Sequence, residues 1–231
     1  MPADETTTST LPDVTLLTRV GAISTSTLSD ALDKLGLPGA VPGIQPFDPS
    51  FRLCGPAFTG QYESVDENGG TVGDFIDDVA PGEVVVLNNE GRLDCTVWGD
   101  IMTYVASSRG IAGTVIDGVC RDVAPSLELK YPVFTRGRNM QTGKDRVRLA
   151  ATGVPVALGN VIVHPGDLVV ADADGVVVLA TAEIERVLTV AEAIENAEER
   201  IRLAVAGGAR LDQARAQAGY HQLQTAEEET R

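Results

Sequence analysis

Histidine is almost missing from this chain: among 231 residues only His164 and His221 occur. A metal site built on imidazole is therefore excluded, and any metal must be held by oxygen ligands. Cysteine is nearly as scarce. Cys54, Cys95 and Cys120 are odd in number, far apart and set among apolar residues. That usage excludes a disulfide framework and a zinc site of paired cysteines, and fits buried free thiols of a cytoplasmic protein. No apolar run approaches the ~20 residues needed to span a bilayer, so no membrane partner is expected. The opening "MPADETTTST" has neither a basic start nor an apolar core, so it is not expected to act as a signal peptide. Positive charge is short as well, with 18 Lys plus Arg against 33 Asp plus Glu and a net charge of −15. Such a surface repels phosphate backbones and argues against a nucleic-acid partner.

What is present is an ordinary globular balance, 43% hydrophobic and 22% charged, in a length that suits one large domain or two small ones. Residues 1–11 are polar and threonine-rich, and are expected to be disordered. "STSTLSDALDKLG" at 24–36 reads as a short amphipathic helix, capped by Ser/Thr and closed by Gly36. A Pro/Gly loop follows, then a strand at 54–64, a helix at 69–79 ended by Pro81-Gly82, an apolar strand at 83–89 and a loop, "EGRLDCTV". A helix at about 101–109, a strand at 112–118, a helix "APSLELK" and a strand "PVFTRG" come next. The stretch to Ala180 is strand and turn, with "HPGD" and "DADG" as tight turns between Val-rich strands. No fixed-period repeat occurs. The pattern predicts an α/β core over 12–180, C-terminal helices over 181–220 packing on that core or on a neighbouring subunit, and a polar tail over 221–231. The long C-terminal helix carries a stripe of Val187, Ala191, Ile194, Glu198, Ile201 and Val205.

Charge sits at both tips of an otherwise apolar helix–strand unit, "WGDIMTYVASSRGIAGTVIDGVCRD" at 98–122. Asp100 and Asp122 each read, singly, as a helix cap. A cap does not account for Arg121. A guanidinium beside a carboxylate at the carboxyl end of a strand is where α/β folds place ligand contacts. Successive strand residues point to opposite faces, so Arg121 and Asp122 can share a pocket only if the chain is already turning there. A nine-residue helix covers about 14 Å, roughly what the returning strand covers, so the two tips can meet. Backbone amides of Ile101 and Met102, after Gly99 at the helix start, are placed to hold a carboxylate. Glu198 has two readings: an acid presented to a site on another surface, or a rim glutamate paired with Arg202.

"WGD" at 98–100 followed by "GTVIDGVCRD" at 113–122 resembles the signature of the RraA-like family. "STLSDALDKLGLPGAVPGIQPF", "CGPAFTG", "PVFTRG" and "HPGDLVVADADGVVVL" extend the likeness along most of the chain. The resemblance is greatest to the divalent-metal-dependent 4-hydroxy-4-methyl-2-oxoglutarate/4-carboxy-4-hydroxy-2-oxoadipate aldolases. It implies an α/β, three-layer β/β/α fold like the swivelling phosphohistidine domains, assembled as homotrimers or hexamers with sites between subunits. It also implies a class II pyruvate aldolase acting on a small 2-oxo acid, with oxaloacetate decarboxylation as a related activity. Carried over by position, Asp122 would bind Mg²⁺ or Mn²⁺, Arg121 would hold the pyruvyl oxygens, and Asp100 would act through metal-bound water. A glutamate from a neighbour's C-terminal helix would complete the site, with Glu198 the best match and Glu199 or Glu195 the alternatives. The same family contains regulators that bind and inhibit an RNA-degradation endoribonuclease. Those regulators lack the acidic C-terminal helix, which this chain has. No lysine lies within 98–122 to form a Schiff base, and Lys34, Lys130 and Lys144 fall in helix ends or loops, which favours the metal-dependent chemistry.

Overall fold

The structure is a computed structural model and describes residues 14–66 and 72–223. In chain order its elements are α1 (Val14–Ala22), α2 (Thr25–Leu35), β1 (Ala40–Val41), β2 (Gln45–Pro46), β3 (Leu53–Ser64), β4 (Val84–Thr96), α3 (Asp100–Ser108) and β5 (Gly113–Cys120). Then follow α4 (Val123–Glu128), β6 (Val133–Arg138), β7 (Val147–Thr152), β8 (Val156–Leu158), β9 (Val161–Val163), β10 (Leu168–Asp172), β11 (Gly175–Leu179), α5 (Ile184–Ala206), α6 (Leu211–Ala218) and α7 (Tyr220–Leu223). Nine strands form one mixed sheet in the order β1-β11-β10-β3-β4-β5-β6-β2, with β7 paired to β3, and β8-β9 form a separate hairpin. The chain is thus a mixed α/β protein.

The centre of the sheet, β3 to β6, is parallel. Parallel strands are covered on both faces and become apolar runs instead of alternating ones, and β5 is buried at every position. The one acid inside it, Asp117, is neutralised. It pairs with Arg136 of β6 and accepts the Gly159 amide at 2.7 Å. A buried carboxylate left without such partners would be strongly destabilising. This pair ties β5, β6 and the β8–β9 turn together at the level from which the strand ends project.

Two apolar cores result. The larger holds the parallel strands with Trp98, Ala106 and Tyr131. The smaller joins α1, α2 and α5 over β10 and β11, through Val20, Leu28, Leu32, Leu168, Val187, Leu188 and Ile194. The C-terminal helix therefore packs on the core of its own chain. α2 begins with Ser24 accepting the Thr27 amide and ends at Gly36, whose φ of 66° only a residue without Cβ adopts freely.

The structure corrects several expectations. The helix expected at 69–79 is only a 3₁₀ turn, Ile76–Asp78, within the described part. Residues 69–71 lie outside the described residues. Gly73 has φ 92°, a conformation that stops a helix from propagating. The "EGRLDCTV" loop is instead the outer half of β4, bulged twice against β5. Glu90 and Gly91 sit at φ 55° and 65° there, and such a kink in a ladder reads in sequence as a break. α1 falls on residues for which no helix was expected. The buried stripe of α5 runs Val187, Ala191, Ile194, Ala197 and Ile201. Ala197, three residues after Ile194 and four before Ile201, occupies the place expected for Glu198, which lies at the stripe's edge, and Val205 is exposed. The tail expected to be disordered at 1–11 and residues 224–231 of the polar tail lie outside the described residues.

Candidate functional site

The two charged tips of the 98–122 unit do meet. The Asp100 backbone N–H donates to Asp122 Oδ2 at 3.2 Å, and Arg121 Nε lies 3.2 Å from the same oxygen. The Arg121 N–H donates to the Trp98 carbonyl at 3.3 Å. One carboxylate oxygen therefore joins the start of α3 to the end of β5. The chain turns where that requires it to turn. β5 ends at Cys120, and Asp122 adopts the left-handed conformation, φ 57° and ψ 53°. Aspartate is among the few residues that tolerate this region. The turn brings Arg121 and Asp122 onto one cleft, which the alternation of an extended strand would forbid.

Asp122 stands at the N-cap position of α4, yet makes no side-chain cap to that helix. Its carboxylate is spent on α3 and on Arg121 instead, so the ordinary cap reading fails for it. Asp100 is the first residue of α3, after Gly99, and adds negative charge where the first amides of that helix have no intrahelical acceptor. Gly99 is extended, with φ −153°, so any residue could adopt its backbone. What requires glycine there is space: a Cβ at this position would lie 2.7 Å from Asp122 Oδ2 and 3.2 Å from Arg121 Nε.

The corner is braced from behind. Trp98 is buried, donates from Nε1 to Thr103 Oγ1 at 2.9 Å, and stacks on Tyr131 with ring centroids 6.3 Å apart. Thr103 Oγ1 in turn donates to the Gly99 carbonyl at 3.0 Å. Cys120 directs its thiol to the Arg121 carbonyl at 3.1 Å. Burial, reinforced by the charge of Asp122, pushes that thiol up to about 12, so it stays protonated at neutral pH and is no nucleophile. The sequence expectation of buried free thiols holds for Cys95 and Cys120, whereas Cys54 is half-buried.

Two clefts flank Arg121. One, of about 220 Å³, is lined by Gly99, Asp100, Ile101 and Met102 together with Arg121 and by Val72–Asp74 and Thr142 across from them. The other, of about 280 Å³, is lined by Arg121, Asp122, Val123, Arg138, Asn139 and Met140. The structure thus brings Arg121, Asp122, Asp100, Gly99, Ile101 and Met102 to one corner. Glu198 is not among the residues lining either cleft of its own chain. It lies 3.5 Å from Arg202, which also binds Glu199 at 2.8 Å. Arg138, Asn139 and Met140 are absent from the candidates drawn from sequence. Their signal was available in "PVFTRG", a strand whose carboxyl end adjoins that of β5.

Among the described residues no group of three or more His, Cys, Asp or Glu is placed to hold a metal ion. A fully caged metal is therefore not what this corner offers. Among the described residues the second carboxylate oxygen of Asp122 accepts no hydrogen bond, Asp100 adjoins it in the structure, and the ligands are hard oxygens. That donor set fits Mg²⁺ or Mn²⁺, which bind through one or two carboxylates and keep several waters.

A mixed sheet with an arginine–carboxylate pair at a parallel strand's carboxyl end, beside a helix N-terminus, defines an α/β protein with a charged corner where such folds place ligand contacts. The chain belongs to the RraA-like family, described as Aldolase/RraA, whose profile matches residues 25–178. It is 38% identical over 216 residues to Protein DlpA of Legionella pneumophila, covering 92% of this chain and 35% of DlpA, so it spans about a third of that relative's length. It is 36% identical over 193 residues to a protein of Halalkalibacterium halodurans named "Putative 4-hydroxy-4-methyl-2-oxoglutarate aldolase", covering 81% of this chain and 89% of that one. Among solved structures it is similar to Streptomyces coelicolor RraAS2, described as an unusual member of the RNase ES inhibitor RraA protein family. That match has a TM-score of 0.77 and 31% identity, and covers 83% of this chain and 97% of the other. No helix among the described residues is long and apolar enough to cross a membrane.

Proposed function

We propose that this chain is a cytoplasmic, divalent-metal-dependent lyase. It cleaves a 4-hydroxy-2-oxo acid such as 4-hydroxy-4-methyl-2-oxoglutarate to pyruvate and a second 2-oxo acid, and decarboxylates oxaloacetate through the same pyruvate enolate. The observation that carries the reading is the single oxygen, Asp122 Oδ2, on which the Asp100 amide and Arg121 converge. Family membership and the aldolase name of a relative that this chain covers for 89% of its length support it.

Asp122, with Asp100 beside it, would hold the cation, which when bound supplies positive charge to the substrate's C2 oxo oxygen. Arg121 donates to that same region and stabilises the enolate oxygen as charge develops there. Its planar fork stays protonated and is held in place before the reaction, which is what makes such a donor effective. The amides of Ile101 and Met102 take the C1 carboxylate at the head of α3. Asp100 accepts the proton of the C4 hydroxyl, directly or through one water, as the C3–C4 bond breaks, and returns it by the same route to C3 of the enolate to give pyruvate. The scaffold would be the family's three layers, assembled as a homotrimer or hexamer, with neither nucleic acid nor membrane as partner. Because Glu198 lies away from both clefts of its own chain, its part would be to complete the site of a second copy.

Pyruvate release from a panel of 4-hydroxy-2-oxo acids and oxaloacetate, with Mg²⁺ and with chelator, tests the reading. Metal-dependent release supports it, and no release from any member overturns it. The similarity to RraAS2 favours a second reading, a regulator of RNA decay. Inhibition of an endoribonuclease by a chain that lacks lyase activity would establish that instead.

A further inference from the structure

Arg138 is the last residue of β6, and its backbone is in register with Cys120 of the neighbouring parallel strand β5. Adjacent strands lie ~4.8 Å apart, so Arg138 emerges within small-molecule reach of the Arg121–Asp122 corner. The strand ends are fastened to each other, because the Asn139 N–H donates to the Cys120 carbonyl at 3.0 Å. Asn139 is itself anchored by a 2.7 Å hydrogen bond from Nδ2 to the Leu93 carbonyl. The Arg138 guanidinium lies over the Phe47 ring, 5.2 Å from its centroid, and reaches the Phe47 carbonyl at 3.4 Å. Arg109, Arg136 and Arg148 each have a carboxylate within salt-bridge distance. Arg138 has none among the described residues, although the chain carries 33 acidic side chains. A cation–π contact steers a guanidinium without neutralising it. The 280 Å³ cleft thus presents two arginines, of which, among the described residues, Arg121 alone has a counter-charge.

We propose that Arg138 is a specificity-determining residue that binds a carboxylate at the end of the substrate remote from its C2 oxo group, so that the site selects dianionic over monoanionic 2-oxo acids. This rests on the lyase reading for its reaction, but the charge selectivity is a property of the cleft and can be read without turnover. In a protein of net charge −15, a second anionic group on the substrate is repelled at long range unless a dedicated cation meets it locally. Arg138 is that cation, and its planar fork suits a carboxylate. Met140, 82% exposed at the same cleft, leaves the far side open to a substituent on C4.

The test pairs substrates that differ only at the far end: 4-hydroxy-2-oxoglutarate, and 4-hydroxy-2-oxopentanoate with a methyl group in place of the distal carboxylate. In the wild type with Mg²⁺, kcat/KM should favour the diacid. Arg138→Gln should lower the ratio of the two kcat/KM values about 10- to 100-fold, the worth of a hydrogen bond to a charged group, mainly through KM for the diacid. Arg138→Lys should restore part of the ratio. An unchanged ratio in Arg138→Gln overturns the proposal, as does an equal loss on both substrates, which would mark a merely structural arginine. Calorimetric binding of 2-oxoglutarate and of 2-oxopentanoate to the Mg²⁺-loaded protein provides a second readout. If these two and every other 4-hydroxy-2-oxo acid and oxaloacetate go uncleaved, the lyase reading fails. Selectivity for 2-oxoglutarate that disappears in Arg138→Gln would still support the role of Arg138, whereas equal wild-type affinity for both acids would overturn it.

Discussion

Replacing Gly99 with alanine adds one methyl group at the point where the two halves of the site converge. The new Cβ would lie 2.7 Å from Asp122 Oδ2, about 0.7 Å short of ordinary carbon–oxygen contact. It would also press on Arg121 Nε at 3.2 Å. The backbone has nothing to resist, since φ is −153° and alanine is at ease there. The strain falls entirely on the Arg121–Asp122 pair and on the Asp100 amide that shares its oxygen. Those side chains are more than a third exposed, at 39% and 37%, so they can swing outward without unfolding anything. Stability should therefore change by no more than about 1 kcal/mol, below the usual range for overpacking a closed core. Activity should respond differently, because displacing a preorganised group by about 1 Å can cost 10²-fold in rate. The expected loss in kcat/KM for pyruvate release is about 10- to 100-fold, or about 1.4–2.7 kcal/mol of transition-state binding. Gly137→Ala is the control. It lies on β6 near the same corner, but its Cβ would meet only Val119 Cγ1, at an ordinary 3.7 Å. That variant should keep activity within about threefold. Thermal unfolding and steady-state kinetics on both proteins decide the matter. Wild-type kcat/KM in Gly99→Ala would refute the assignment of Asp122 Oδ2 as the oxygen around which the site is built. A large loss of stability with parallel loss in Gly137→Ala would show that the region answers to packing instead.

Three further outcomes are expected. Asp122→Ala should lose Mn²⁺ binding in a paramagnetic titration while chelation abolishes wild-type activity, and wild-type Mn²⁺ affinity in that variant would remove Asp122 as a ligand. Arg121→Lys keeps a charge but not the guanidinium fork, and it should lose on the order of 10²-fold in kcat/KM, a loss that near-normal turnover would disprove. Glu198→Ala and Asp122→Ala, each inactive alone, should regain activity when mixed after dissociation and reassembly, because a mixed interface can combine an intact copy of each residue. A mixture that stays inactive while mixed oligomers form would leave Glu198 with only its ion pair to Arg202, worth under about 1 kcal/mol on an exposed helix.

Much of the chain was legible because its signals are local. The caps and stripe of α2, the apolar run of β5, the turn residues at "HPGD" and "DADG", and the long periodicity of α5 each depend on neighbours in sequence, and each stands in the structure. The two ends of the 98–122 unit also meet as expected, since helix rise and strand rise alone bring them together. Other features depend on contacts between segments far apart. The outer half of β4 is a strand only because β5 lies beside it, and its bulge at Glu90-Gly91 hides that from any pattern. Asp117 looks like an interruption in an apolar strand until Arg136 and the Gly159 amide are found around it. Ala197, not Glu198, lies in the buried face of α5 because Ala197 faces the core at that turn, a choice that helical periodicity leaves open between adjacent residues. Sequence by itself determined which residues carry charge at the strand and helix ends. The tertiary structure decided that Asp122 turns left-handed and holds both limbs through one oxygen, and that Arg138 stands beside it. Those facts depend on strand order and on one residue's backbone angles, and neither is a property of a residue's nearest neighbours in sequence.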